Sequence, residues 1–123
     1  MAGLRVLVVD DSSAVRKRLA GLMAEAAAVE TVAEAGSAAD ALLAVPRFRP
    51  DVVILDLQMP EGSGLDVLRS LRSSGPSPTV VVLTNHTGDH YRRACREGGA
   101  DFFFDKSTEL DRVLEVVAAL RPV

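Results

Sequence analysis

The sequence predicts an α/β domain built on one parallel sheet with helices on both of its faces. Two observations carry this. Four short runs, Val6-Leu7-Val8-Val9, Val52-Val53-Ile54-Leu55, Val80-Val81-Val82-Leu83 and Phe102-Phe103-Phe104, are continuously apolar rather than alternating, as strands covered on both sides are. Between them lie segments with apolar residues at helical spacing, so that strand and helix alternate five times with no repeat, low-complexity tract or linker.

Val6–Val9 is the first strand. Asp11 and Ser12 are candidate caps for a helix whose core stripe is Val15, Leu19, Leu22, Met23 and Ala26. Val29 to Ala35 is a weaker strand, expected at the sheet edge. Ser37-x-x-Asp40 opens the second helix as a capping box with Asp in place of Glu, and Arg47 to Pro50 reads as a loop. After the strand Val52–Leu55, Ser63-x-x-Asp66 opens a third helix with Leu65, Leu68 and either Leu71 or Arg72 on one face; Ser73 to Pro78 is a second loop. The strand Val80–Leu83 leads to a less periodic helix over Asp89–Glu97, which Gly98-Gly99 stops. Phe102–Phe104 is followed by Thr108-x-x-Asp111 and a last helix with Leu110, Val113, Leu114 and Val117 inward.

The 123 residues, 48% hydrophobic and 25% charged, suit one globular domain with its own core. A net charge of −3 excludes a strongly basic nucleic-acid footprint, so no direct nucleic-acid role is expected. Cys95 is the only cysteine, which excludes an intramolecular disulfide and a cysteine-based zinc site and reads as a buried structural thiol. Met1-Ala2-Gly3-Leu4-Arg5 lacks a signal-peptide layout, and Val6–Val9 is far too short to span a bilayer; a cytoplasmic protein without membrane insertion is expected.

Parallel sheets bind ligands beyond the carboxyl ends of their strands, where the strand order reverses. There the first run ends in Asp10-Asp11, the second in Asp56 and the third in Thr84, and Lys106 follows the fourth. Each alone has an ordinary reading as a helix cap, a strand end or a solvated charge. Together they differ, because three carboxylates sharing a crevice repel one another unless cations compensate them. A divalent metal and Lys106 supply that compensation, and Mg²⁺ suits a few carboxylates with positions left for water or phosphate oxygens. His86 and His90 read as surface or supporting residues rather than ligands. With such charge neutralisation an aspartate carboxylate can attack phosphorus, and Thr84 can hydrogen-bond the new phosphoryl group.

Val8-Val9-Asp10-Asp11, the segment Ile54-Leu55-Asp56-Leu57-Gln58-Met59-Pro60-Glu61-Gly62-Ser63-Gly64, Val82-Leu83-Thr84 and Ala100-Asp101-Phe102-Phe103-Phe104-Asp105-Lys106 jointly resemble the receiver domain of two-component response regulators. The resemblance covers almost the whole chain and implies one receiver domain over residues 1–123. It implies a flavodoxin-like, doubly wound (βα)5 fold with strand order 2-1-3-4-5. It also implies Asp56 as phosphoacceptor, Lys106 and Thr84 as its assistants, Mg²⁺ held by Asp11, Asp56 and the Gln58 backbone carbonyl, and Asp10 acting through water. Phe103 is then the switch aromatic, paired with Thr84. Four positions depart from the commonest pattern or vary within it. Asn85 stands where a very small residue is usual and narrows access to Asp56, while Ser107 replaces the usual proline, so a trans Lys106–Ser107 bond is expected. Gln58 and His86 are variable positions expected to tune phosphate hydrolysis.

The strongest rival class is a phosphohydrolase of the haloacid-dehalogenase type, which usually carries a second acid two residues after the nucleophile; here that residue is Gln58. Gly62-x-Gly64 lacks the third glycine of a dinucleotide fingerprint and the lysine of a P-loop. The resemblance implies a phosphorylation switch rather than an enzyme, with a sensor histidine kinase or a histidine phosphotransfer protein as donor. Its output is expected through a protein partner on the fourth helix, fifth strand and fifth helix, with Arg92, Arg93 and Arg96 as a basic edge. A receiver segment of a longer regulator is the alternative.

Overall fold

The computed structural model describes residues 3–59, 62–73 and 78–120. Five strands, β1 (Leu4–Val9), β2 (Val29–Ala35), β3 (Val52–Leu55), β4 (Thr79–Thr84) and β5 (Phe102–Asp105), alternate with five helices, α1 (Ser13–Glu25), α2 (Ala38–Phe48), α3 (Gly64–Ser73), α4 (Asp89–Glu97) and α5 (Leu110–Ala119). All five strands are parallel, in the spatial order 2-1-3-4-5, with β2 at the edge as expected. This is the flavodoxin-like arrangement.

The continuous apolar runs are explained by where their alternate residues go. Leu7, Val9, Val53, Leu55, Val80 and Val82 pack against Ala38 and Ala41 of α2, Val67, Leu68 and Leu71 of α3, and Cys95 of α4. Their neighbours Val6, Val8, Val52, Ile54, Val81 and Leu83 pack against Leu19 and Met23 of α1 and Val113 and Val117 of α5. Both faces of the sheet are thus buried, and no strand position in the centre is left for water.

Helix starts follow local chemistry. Ser12 Oγ accepts from the Val15 N–H at 3.3 Å and Ser37 Oγ from the Asp40 N–H at 3.0 Å, each satisfying a first-turn donor. Ser63 Oγ takes the Leu65 N–H at 3.1 Å instead of that of Asp66. Gly99 follows α4 with φ +96°, a left-handed conformation that a side chain would strain.

Two local expectations need correction, and one feature was not expected. Residues 47 and 48 belong to α2, which runs through Pro46 to Phe48, so only Arg49 and Pro50 remain of the expected 47–50 loop. Pro46 lies on the exposed face, and Phe48 is held from across the fold by the Arg5 guanidinium, which stacks 4.4 Å from its ring centroid and donates to its carbonyl at 2.9 and 2.7 Å. Thr108 caps nothing: α5 begins at Leu110 after Glu109, whose Oε1 instead accepts from the Asp105 N–H at 3.0 Å. A two-residue antiparallel ladder, Gln58–Met59 with Gly62–Ser63, was not anticipated and brings the chain back toward α3. Pro60 and Glu61, and residues 74–77 of the expected 73–78 loop, lie outside the described residues.

Cys95 is fully buried in the α4 contact with the sheet, and burial pushes its thiol up to about 11. Its thiolate is therefore scarce at neutral pH. We expect Cys95 to react with a thiol reagent only at the rate of unfolding, and promptly in denaturant; rapid reaction in native buffer would contradict this packing.

Candidate phosphoryl-transfer site

The chain moves outward from β1 to β2 and then returns across β1 to β3, so the order reverses between β1 and β3. Asp10 and Asp11 follow β1 and Asp56 follows β3, placing all three at this crevice. The Asp56 N–H donates to the Val9 carbonyl at 3.0 Å, continuing the β1–β3 pairing to the acid itself. Asp10 and Asp56 are 1% and 6% exposed, whereas Asp11 is open to solvent. One carboxylate oxygen from each lies within 4.8 Å of the others.

Lys106 reaches this group from the end of β5. Its Nζ donates to Asp10 Oδ2 at 2.6 Å and Asp56 Oδ2 at 2.9 Å. Burial alone would push its ammonium down, but the hydrogen bonds and charges of Asp10 and Asp56 together outweigh that and hold it above the ordinary lysine value. The remaining lone pairs are used locally: Asp10 Oδ1 accepts from the Ser12 N–H at 2.9 Å, and Asp56 Oδ1 from the Gln58 N–H at 3.3 Å.

Thr84 is fully buried at the end of β4, and its Oγ1 accepts from the His86 N–H at 3.2 Å. The Lys106 N–H donates to the Thr84 carbonyl at 2.9 Å, so the threonine and the lysine are fixed by one backbone bond. His86 Nε2 donates to Gln58 Oε1, and the His86 ring lies 5.1 Å from that of Tyr91. Asp10, Asp11, Asp56, Gln58, Asn85, His86 and Lys106 all line a single cleft of about 590 Å³. The Gln58 side chain and Asn85 are exposed at its mouth.

Phe103 is not in the cleft. It is half-buried on β5 opposite Val82, while Thr84 stands opposite Asp105. Its ring packs with Tyr91 and Ala100 against the α2–α3–α4 side of the core. Among the described residues no peptide bond is cis, so Lys106–Ser107 is trans as expected. The loop is closed instead by Asp105 Oδ1, which accepts from Ser107 N–H at 2.8 Å and from Ser107 Oγ at 2.6 Å. These bonds, the hydroxyl's first, hold the Asp105 carboxyl below its ordinary value.

Two contributors were missed by sequence reasoning. Gly64 was part of the motif but had no role; its N–H donates to Leu57 O at 2.9 Å, and a Cβ there would overlap the Asp56 carbonyl oxygen. A glycine eight residues after a strand-end acid and opening a helix was the available signal. Arg16, whose Nη1 donates to the Asp10 carbonyl at 2.9 Å, carried no sequence signal beyond its charge.

Residues 6–118 match the response regulator receiver domain. The chain belongs to that family. It is 36% identical over 121 residues to the DNA-binding transcriptional activator DevR/DosR of Mycobacterium tuberculosis, covering 96% of this chain and 56% of that protein. It is 39% identical over 117 residues to a protein-glutamate methylesterase/protein-glutamine glutaminase of Xanthomonas oryzae, covering 91% of this chain and 32% of the relative. The receiver thus spans about half and about a third of these two proteins. A two-component response regulator of the LuxR family from Aurantimonas superposes with a TM-score of 0.86 at 27% identity, over 98% of this chain and 89% of that one. No helix among the described residues is long and apolar enough to cross a membrane.

The donor set suits a hard cation: all three side chains offer oxygen, and three formal negative charges face one ammonium. In metal-free buffer, replacing Lys106 with methionine strands two buried acids, and we expect a loss of about 1.5–3 kcal/mol at neutral pH. Because the folded lysine sits above its unfolded value of 10.5, that advantage is complete below 10.5 and disappears as pH rises through the folded value. Denaturant melts of both proteins at neutral and strongly alkaline pH check the sign; a difference that grows with pH would reverse it.

Proposed function

We propose that residues 1–123 act as one receiver domain in which Asp56 is the phosphoacceptor and Lys106, Thr84, Asp10 and Asp11 are its machinery. The observation that carries this is Asp56 at the β1–β3 switch point, with the Lys106 ammonium bonded to it and Asp10 and Asp11 beside it. A sensor histidine kinase or a histidine phosphotransfer protein supplies the phosphoryl group. An Asp56 carboxylate oxygen forms the new P–O bond as the P–N bond to the donor histidine breaks, and the imidazole leaves with the electron pair. Asp11, Asp56 and the Gln58 backbone carbonyl would hold Mg²⁺, with Asp10 acting through water, and the ion would supply positive charge for the transferring oxygens.

Lys106 adds a second, fixed positive charge on the Asp56 side, and Thr84, buried at the end of β4 immediately before the cleft-lining Asn85, takes up a phosphoryl oxygen. Gln58, Asn85 and His86 screen the mouth and set how readily water reaches the product. The domain assists its own phosphorylation and dephosphorylation but is a switch rather than a turnover enzyme, and it acts in the cytoplasm. Incubation with acetyl phosphate and Mg²⁺ should add one hydroxylamine-labile phosphoryl group to the wild type and none to Asp56→Asn. Chelator or Asp11→Ala should remove the label; full labelling in either would end the metal assignment, and a labile label on Asp56→Asn would end the acceptor assignment.

The output surface is α4, β5 and α5, presented to a protein partner. Arg92, Arg93 and Arg96 are exposed on α4 and give this face a basic edge. Lys106 and Thr84 share a backbone bond, and Phe103 lies three residues before Lys106, so a phosphoryl group that draws on Thr84 acts on the same strand pair that carries the ring. Adding beryllofluoride, a phosphoryl mimic, should therefore shift NMR signals across residues 89–119. Shifts confined to the surroundings of Asp56 would remove this face from the output.

A further inference from the structure

Arg92 touches two elements at once, the loop after β4 and the aromatic on β5. Its guanidinium carbon lies 4.6 Å from the Phe103 ring centroid, and its Nε donates to the Thr87 carbonyl at 3.2 Å. Thr87 is in the β4–α4 loop three residues after Thr84, whose hydroxyl oxygen is already tied to the same loop through the His86 N–H. The ring itself is half-buried on β5. One exposed side chain therefore grips the loop that begins at Thr84 and, at the same time, the aromatic face on the neighbouring strand. Arg93 and Arg96, on the same helix, make no ring contact among the described residues.

We propose that Arg92 is a latch that holds Phe103 and the β4–α4 loop in the unphosphorylated arrangement. It is a positioning residue that acts through Phe103, and the inference rests on the reading of Thr84 and Phe103 as the switch. The argument is one of differential contact: a group biases a two-state equilibrium only by interactions present in one state and absent in the other. When a phosphoryl oxygen engages Thr84, the segment 84–88 and the ring shift relative to each other, and Arg92 cannot keep both contacts. Its two interactions are then a cost of activation. An exposed cation–π contact is weak, so the bias is about twofold to fivefold in the equilibrium constant. That is enough to grade the response without locking the domain.

The sign separates a latch from simple electrostatics. Beryllofluoride at Asp56 is anionic, so loss of a nearby cation through charge alone would weaken its binding. Loss of a latch strengthens it. The experiment titrates the intact chain with beryllofluoride in excess Mg²⁺, following the Leu57 and Gln58 amides for occupancy and the Phe103 ring signals for the switch. Arg92→Ala should lower the half-saturating concentration about twofold to fivefold. Arg93→Ala should not lower it. In a Phe103→Leu background, which has no ring to hold, Arg92→Ala should have less effect than in the wild type.

An unchanged or raised half-saturation in Arg92→Ala overturns the latch, as does a fall of equal size in the Phe103→Leu background. If the wild-type Phe103 ring signals do not respond to saturating beryllofluoride, the reading of Phe103 as the switch fails and the latch fails with it. If they respond and Arg92→Ala does not lower the midpoint, the latch alone fails. Tyr91, the sole tyrosine in a chain without tryptophan, precedes Arg92 and packs against His86 and His90, so its fluorescence gives an independent record of the same transition.

Discussion

Two buried carboxylates at the ends of adjacent central strands are tolerable only because one ammonium stands between them. Asp10 and Asp56 are almost wholly removed from solvent, and each would repel the other without Lys106 at 2.6 and 2.9 Å. The requirement reaches well beyond the three residues. Lys106 must arrive from a strand two places away from β3, so the order and register of β3, β4 and β5 are what deliver it. The backbone bond from the Lys106 N–H to Thr84 O fixes that register at the point of use. The same charge count leaves a deficit, since one ammonium against three carboxylates still leaves a formal charge of −2 at the crevice. A site so arranged is stable as protein and at the same time attractive to a divalent cation.

The loop after β5 shows how this chain holds its lysine without the proline usual in the family. Proline would limit the backbone by its ring; here Asp105 limits it by hydrogen bonds, accepting from both the N–H and the hydroxyl of Ser107. Glu109 adds a further tie by accepting from the Asp105 N–H. The Ser107 N–H is itself part of the solution, and a proline at that position would remove it. Glu109 stands at the N-cap of α5 but its side chain is engaged in the loop, and the helix starts at Leu110, one residue later than a cap at Thr108 would place it.

What was legible in the sequence was what depends on burial or on strand ends. The four apolar runs marked β1, β3, β4 and β5 because both faces of the sheet are covered, and Asp10, Asp11, Asp56 and Thr84 were found by reading each run to its end. Lys106 was found the same way, one step further along. Contacts between distant side chains were not legible. Nothing local says that Arg5 will reach the Phe48 carbonyl and support a helix through Pro46, or that Arg92 will settle over Phe103. Gly64 is intermediate: its presence is plain, but its reason, the close approach of the Asp56 carbonyl, exists only once the short ladder has turned the chain back.

The site therefore divides into a fixed floor and an adjustable rim. Its floor consists of Asp10 and Asp56, just past the ends of β1 and β3, and Thr84 at the end of β4, on central strands whose core residues are fully buried, backed by a glycine that admits no side chain. Its rim consists of Gln58 in the short ladder and Asn85 and His86 in the loop after β4, exposed or half-exposed, with Gln58 and His86 bonded to each other across the mouth. Changes in the floor alter the charge or the register of the crevice itself. Changes in the rim alter the mouth of the cleft and leave the buried charges in place. In this chain the hydrogen-bonded pair at the mouth ties the segment after β3 to the loop after β4, so His86 sits both at the mouth of the cleft and on the segment leading from Thr84 to α4.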